Sequence, residues 1–589
     1  MYERTGKLIR EKFREYLLPG ILSSMAMSLA SAVDGIIVGN LLGDTALAVV
    51  GLAGPVILCV NVLYMIFGIG GMTCASIARG KRETEQSNKI FTLTISVGTA
   101  VMLAFSVAMQ FALPSLSRLL VNGQDALAPM LESYLKPLVF TGPAIMIASG
   151  ISLFIRIDGK PKSAMAVVLI ANAVNLLFDF VLIRFFDTGI WGAGFSTTLG
   201  YIVGIAVVIP YLFSKKRTFK FVKCGKGGLR TVGNIITAGL PRGLTQASNL
   251  VCNLVLNFLI IGSLGSIGMS TLTVCGNALM IANIFFGGTA DALLPIAGTL
   301  YGEGDDYGIR QTMKSAAIVI AISCAAMLAF TLSVPQVIGM AFGIHSKEGL
   351  AVVEPALRLY SAFFPFTAAL TLLQNFYTTT GRKKLATAMV LMSGFIFLIP
   401  FAFLFAKTDP DLIWISFACA AATTLLVTVM ISIWIRKKEK VRGLLLLRPG
   451  KDDIRCDVTI SASVQEAAGL SDQIIKWCLE QNFDAQLANK VGIAIEEMAV
   501  STAHYAHHDS GKGSIDVALC VNGELLTVLM RDNGELFNPA EYTAAKDDGC
   551  ITDGIQLMKT LASKVEYARR LGFNTTILTF DCKKKETAE

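Results

Sequence analysis

The side chains best placed to do chemistry in this chain are acids and amides inside hydrophobic stretches. Asp34 stands near the end of the first such stretch, roughly Leu17 to Leu42, and Asn172, Asn175 and Asp179 stand in another, about Ser163 to Ile183. The last three are spaced three and then four residues apart, which puts them on one face of a helix. An ionisable side chain inside a membrane helix costs on the order of 2.5–3.5 kcal/mol by insertion scales, so it normally faces a polar cavity and marks an ion or substrate path. Two carboxylates in one low-dielectric pocket either share protons or bind a cation, and either chemistry couples to an ion gradient. A third intramembrane acid, Asp291, precedes Pro295 in a later stretch and is a second candidate for handling protons or substrate.

The elements that must position these groups are membrane spans. With 53% hydrophobic and 16% charged residues and a mean hydropathy of +0.60, the composition is far from that of a soluble domain, where about 25% of residues are charged. About twelve apolar stretches long enough to cross a bilayer run from Leu17 to Ile435. The net charge of +8 does not point to nucleic acid, because the basic residues gather in alternate loops: Arg4 to Arg14, Arg79 to Lys89, Arg156 to Lys162, Lys215 to Arg230, Arg382 to Lys384 and Arg436 to Arg442. By the positive-inside rule this predicts a multi-pass protein of the cytoplasmic membrane with both termini cytoplasmic. On that topology Asp34 and Asp179 lie at similar depth, in the outer half of the N-terminal spans.

A shift of 222 residues superposes Leu18-Pro19 on Leu240-Pro241, Leu42-Gly43 on Leu264-Gly265, Gly80 on Gly302, and Gly159-Lys160 on Gly381-Arg382. One offset through four landmarks predicts two homologous halves of six spans each, 1–222 and 223–442, related by an axis along the membrane normal. A central cavity between the halves is the arrangement of an alternating-access transporter. Pro19 and Pro241 read either as helix starts or as hinges. The second half has a stripe of its own, Gln246, Asn249, Asn253 and Asn257, with no acid in that span.

After a linker at 443–453 the apolar runs shorten, and 454–589 reads as a cytoplasmic α/β sandwich domain. The pattern predicts a strand near Asp457 to Ser461 and helices near Gln465 to Glu480 and Ala485 to His507. Two strands about Asn522-Gly523, a helix from about Asp553 and a last strand pair, Lys564 to Arg569 and Thr575 to Phe580, complete it. The twelve cysteines show neither CxxC pairs nor metal spacing and read as free thiols. His504, His507 and His508 read as a polar helix end rather than a metal site.

The transport part resembles the MATE family of multidrug and toxin extrusion transporters over about residues 10–437. The resemblance rests on Pro-x14-Asp (Pro19, Asp34) followed by GIIVGNLLG, on Asn-x3-Asp (Asn175, Asp179), and on Arg-x-x-Gly-x-Pro-Lys (Arg156, Gly159, Pro161, Lys162). It implies two six-helix lobes and export of amphipathic, often cationic compounds against Na+ or H+, with Asp34, Asn175 and Asp179 as the coupling cluster. Other members place an essential glutamate where this span seven offers Gln246 and asparagines. Lipid-linked oligosaccharide flippases share the architecture.

Residues 455–582 are similar to the ATP-binding fold of sensor histidine kinases and anti-sigma-factor serine kinases, through Glu496-Glu497, Asp532-Asn-Gly534 and Asp553-Gly554. That likeness implies a base at Glu497, adenine recognition at Asp532 with Gly534, and a phosphate turn at Gly554. The magnesium-binding Asn of the family is replaced by Ser501. The expectation is a cation-coupled exporter, not an enzyme and needing no cofactor, embedded in the lipid bilayer. Its tail is expected to bind ATP or a cytoplasmic regulatory protein. The competing expectation is a membrane sensor that signals through the tail.

Overall fold

The computed structural model describes residues 4–121, 127–215, 217–225, 227–342, 344, 346–441, 443, 445–447, 455–511, 513–522, 524–542 and 549–582. They form two compact units, Phe13–Leu447 and a second made of Met1–Lys12 with Arg448–Glu589.

The first unit is helical. Among the described residues there are twelve helices long and apolar enough to cross a membrane, from span one at Lys7–Leu42 to span twelve at Pro410–Glu439. The 222-residue repeat is visible in the backbone. Gly43 (φ 84°) and Gly265 (φ 65°) make the turns between spans one (Lys7–Leu42) and two (Thr45–Gly80) and between spans seven (Gly228–Gly265) and eight (Ile267–Glu303). Both combine a positive φ with an extended ψ (178° and −152°), a region essentially confined to glycine, where a side chain costs on the order of 1–3 kcal/mol. Gly159 and Gly381 repeat the pattern at φ 82° and 78°.

Pro19 and Pro241 lie inside their helices, which begin at Lys7 and Gly228. They are therefore not helix starts. Each removes one hydrogen bond from the ladder of a continuous helix, at equivalent places in the two halves.

The halves meet closely at the ends of spans two and eight that lie on the N-terminal side of the membrane. A methyl on Gly80 would fall 2.0 Å from the Thr299 carbonyl oxygen and 2.8 Å from Gly302 Cα, and one on Gly302 would fall 2.2 Å from the Ile77 oxygen. Nearer the middle, Gly70 stands in the same relation to Ile235, and Gly20 to Gly288. Backbone thus rests on backbone, the packing that small residues allow between membrane helices. The connection between the halves is pinned to the first half. Asp158 accepts hydrogen bonds from Tyr211 Oη (2.9 Å) and from the Thr218 amide (3.2 Å), and Phe219 packs among Phe91 and Phe154.

In the second unit, strands β1 (Arg455–Ser461), β2 (Ser514–Asn522), β3 (Leu525–Asp532), β4 (Lys564–Arg570) and β5 (Phe573–Asp581) form an antiparallel sheet in the order β1-β2-β3-β5-β4. One face presents Val458, Ile460, Val517, Leu519, Val528 and Met530 to a core shared with the helices Leu470–Glu480, Ala485–His507 and Gly549–Leu561. The single helix expected over Gln465 to Glu480 is two, Val464–Ala468 and Leu470–Glu480, broken at Gly469.

Candidate functional site

Span one brings Asp34, and span five (Pro161–Phe185) brings Asn172 and Asn175, to the wall of one cavity of about 230 Å³ in the N-terminal half. Asp179 lies behind that wall and is wholly buried. Asn175 Nδ2 donates to Asp179 Oδ2 at 3.0 Å, and Ser196 Oγ donates to Asp179 Oδ1. The same amide also reaches Thr197 Oγ1 at 3.3 Å. Asp34 and Asp179 interact side chain to side chain. Asp34 Oδ1 is buried and has no hydrogen-bond partner among the described residues.

Two acids whose side chains interact at a cavity wall can share a proton or hold a cation. The orphaned Oδ1 is the acceptor that such an occupant would satisfy. Asn172 serves differently. Its amide donates to the Val168 carbonyl of its own helix at 2.8 Å, so it lines the cavity without bracing an acid.

Reading the sequence did not single out Ser196 and Thr197 of span six (Gly189–Phe213), Tyr134 of span four (Ala128–Ile157), or Asn61 of span two, all of which belong to this site. Hydroxyls are common in membrane helices, so only the Ser-Thr-Thr run at 196–198 offered a signal. Asp291 is elsewhere: it pairs with Arg242 of span seven at 3.3 Å and does not line this cavity. A cleft between the halves, lined by Ser24, Met27, Ser28, Gly276, Met280 and Asn283, joins spans one and eight. Met27 lines both spaces.

The sequence signature of the MatE family matches residues 19–181 and again 241–404, more than half of the chain, and the two matches start at Pro19 and Pro241. The chain belongs to the MatE family of multidrug efflux transporters. Its relatives within that family include the multidrug export protein MepA of Staphylococcus haemolyticus, 23% identical over 65% of this chain and 84% of MepA. MepA of Staphylococcus aureus is 22% identical over 65% of this chain and 85% of its own length. Among solved structures, the Vibrio cholerae MATE transporter VcmN superposes with a TM-score of 0.68 at 16% identity, covering 75% of this chain and 99% of that one. A MOP-superfamily transporter from Pyrococcus furiosus gives 0.65 at 20%, covering 72% and 96%. The MATE fold is thus shared where little sequence is.

Residues 460–580 match the histidine kinase-like ATPase domain. In this tail, Asp532 is buried and accepts from the Gly534 amide (2.8 Å) and from Asn574 Nδ2 (2.9 Å), with His507 Nε2 3.3 Å away. The Glu535 amide donates to the Ala506 carbonyl at 2.8 Å, fixing the Asp-Asn-Gly turn against the end of the long helix. Glu497 faces Gly554: a methyl there would lie 2.0 Å from Glu497 Oε2. Burial, and then the neighbouring Glu496, raise the Glu497 carboxyl above its ordinary range. Ser501 is fully buried, its hydroxyl without a partner among the described residues. A buried hydroxyl in place of a metal-binding amide does not fit a magnesium-nucleotide site, so no phosphoryl-transfer step is derived for this domain.

Proposed function

We propose that this MatE protein is a cation-coupled antiporter that exports drug-like or cationic organic compounds from the cytoplasm against inward Na+ or H+. The observation that carries the reading is the orphaned Asp34 oxygen at a cavity wall, beside an Asp179 braced by Asn175 and Ser196. A proton would be held between the two carboxyls. A sodium ion would draw on the same carboxyls and on the amide and hydroxyl oxygens of Asn175 and Thr197. Occupancy favours one arrangement of the two halves by its differential affinity, and that difference drives exchange.

Met27, which lines both the cavity and the cleft, couples cargo to the ion through span one. Gly80, Gly302 and their neighbours seal the N-terminal side of the membrane while the ion site faces the other side, which supports access from outside in this state. The test is dye accumulation inside inside-out vesicles, where export reads as uptake, by wild type and Asp34→Asn. The reading requires export to fall by an order of magnitude or more in the variant; export at the wild-type rate refutes it.

The tail acts as a regulatory module that binds a nucleotide without turnover. The retained Asp532-Asn-Gly534 turn supports binding, and the buried Ser501 speaks against hydrolysis. Photo-crosslinking of labelled ATP to the full chain, lost in Asp532→Asn, tests it. No labelling in wild type would move the tail's ligand to a protein.

A further inference from the structure

The second face of the tail sheet carries a row of polar residues where an open sheet face would be wet. The register runs Thr459 opposite Asp516, Asp516 opposite Arg531, and Arg531 opposite Thr575, across β1, β2, β3 and β5. All four are buried, from 9% exposed at Thr459 to 0% at Thr575. On the same face Asp457, Ala518, Cys520, Thr527 and Leu529 are only partly buried. Residues 4–12 lie against this row.

Arg4 Nε donates to Asp516 Oδ2 at 3.2 Å, and its guanidinium lies 3.6 Å from Asp457. Thr459 Oγ1 donates to Asp516 Oδ1 at 2.8 Å and accepts from the Thr5 amide at 3.1 Å. Further along, Lys12 sits 4.7 Å over the Phe573 ring, whose other neighbour is Arg531, and Asn533 Nδ2 reaches Glu11 at 3.4 Å. Arg4 and Lys12 are both buried, as are Leu8 and Ile9. Burial of an Arg on two acids, one of them itself buried, is expensive unless the partners are held, and a buried pair broken on one side is strongly destabilised. This is the chemistry of a specific docking surface rather than of a chance surface contact.

Residue 7 onward is helix, and the helix continues without interruption to Leu42, carrying Asp34. We propose that the chain's own N-terminal segment is a docking partner of the tail sheet. Through it the tail controls the first span, and with it the ion-binding acid. The tail then acts on transport mechanically, by holding or releasing the start of span one. The second step rests on the transport reading above; the docking step does not.

The test places a protease site within 449–453 of the full-length protein in membranes. After cleavage, the tail is predicted to stay on wild-type membranes and to be released into the soluble fraction by Arg4→Glu, and in part by the near-isosteric Thr459→Val. The melting transition of the released domain checks that it is still folded. A wild-type tail that leaves on cleavage, or an Arg4→Glu tail that stays, overturns the docking. Dye export then tests the coupling. Arg4→Glu in the uncut protein is predicted to change the export rate in the same direction and to the same extent as truncation after Leu447, and an unchanged rate overturns control through span one. If wild type exports no dye, the release assay still reads the docking.

Discussion

At the scale of single residues, the proposed ion site divides into groups that hold the acids and groups that only line the cavity. Asn175 donates to Asp179, whereas Asn172 donates to its own helix. Removing a donor from a buried carboxylate costs about 1–3 kcal/mol, roughly five- to 150-fold in an equilibrium constant. Asn175→Ala is therefore expected to shift the ion concentration that half-saturates export by that factor, while Asn172→Ala shifts it far less; ion titrations of dye export compare them directly. Glu497 in the tail makes a second residue-scale prediction. Its carboxyl is raised by burial, so the folded tail binds that proton more tightly than the unfolded chain does. The associated stability is present below the unfolded pKa and is lost as pH rises through the folded one. Glu497→Gln should thus melt at a higher temperature than wild type at pH 7, with the gap closing as the pH is lowered toward 4. Thermal unfolding followed at the two pH values reads the sign.

Among the elements, the decisive contacts are those in which backbone meets backbone. Gly80 and Gly302, one repeat apart, leave no room for a methyl. Gly80→Ala or Gly302→Ala overpacks the seal, at about 1–3 kcal/mol, and should lower the unfolding temperature of the purified protein and weaken closure on the N-terminal side. Gly54→Ala, whose methyl would have nothing within 4 Å, is the control. These elements were largely legible in the sequence. The acids stood out because charge in an apolar run is costly, and one offset marked both halves, whose Gly43 and Gly265 turns then appear with matching positive φ. Proline was less legible, since Pro19 and Pro241 lie within helices that begin twelve or more residues earlier. Ser196, Thr197 and Tyr134 were illegible for a different reason. Hydroxyls and aromatics occur throughout membrane helices, and only the fold sets these three beside the acids.

For the whole molecule, the alternation of basic loops predicts where each connection lies. Cys224, exposed in the connection between the halves, should react with an impermeant maleimide in inside-out vesicles and not in intact cells, when it is the sole cysteine of the chain. Labelling of intact cells would invert the topology and the direction of transport with it. The basic run Arg4 to Arg14 shows how one signal can have two causes. Read as a topology signal alone, it gave no hint that Arg4 and Lys12 pack against the tail sheet, because the acids and the ring they meet are more than 400 residues away in the chain. The tail's own strands were readable from alternation, whereas which sheet face the N-terminal segment would cover was not.

If a cation at Asp34 and Asp179 drives export, as proposed, the drive must fail when Asp179 is neutralised. The measurement that tests it most directly is export of a fluorescent cationic dye from proteoliposomes, with the pH and Na+ gradients imposed separately, for wild type and Asp179→Asn. Wild type should export under at least one gradient and the variant under neither, the effective gradient identifying the ion. Equal export by both proteins, or no export by folded wild-type protein under either gradient, would contradict it.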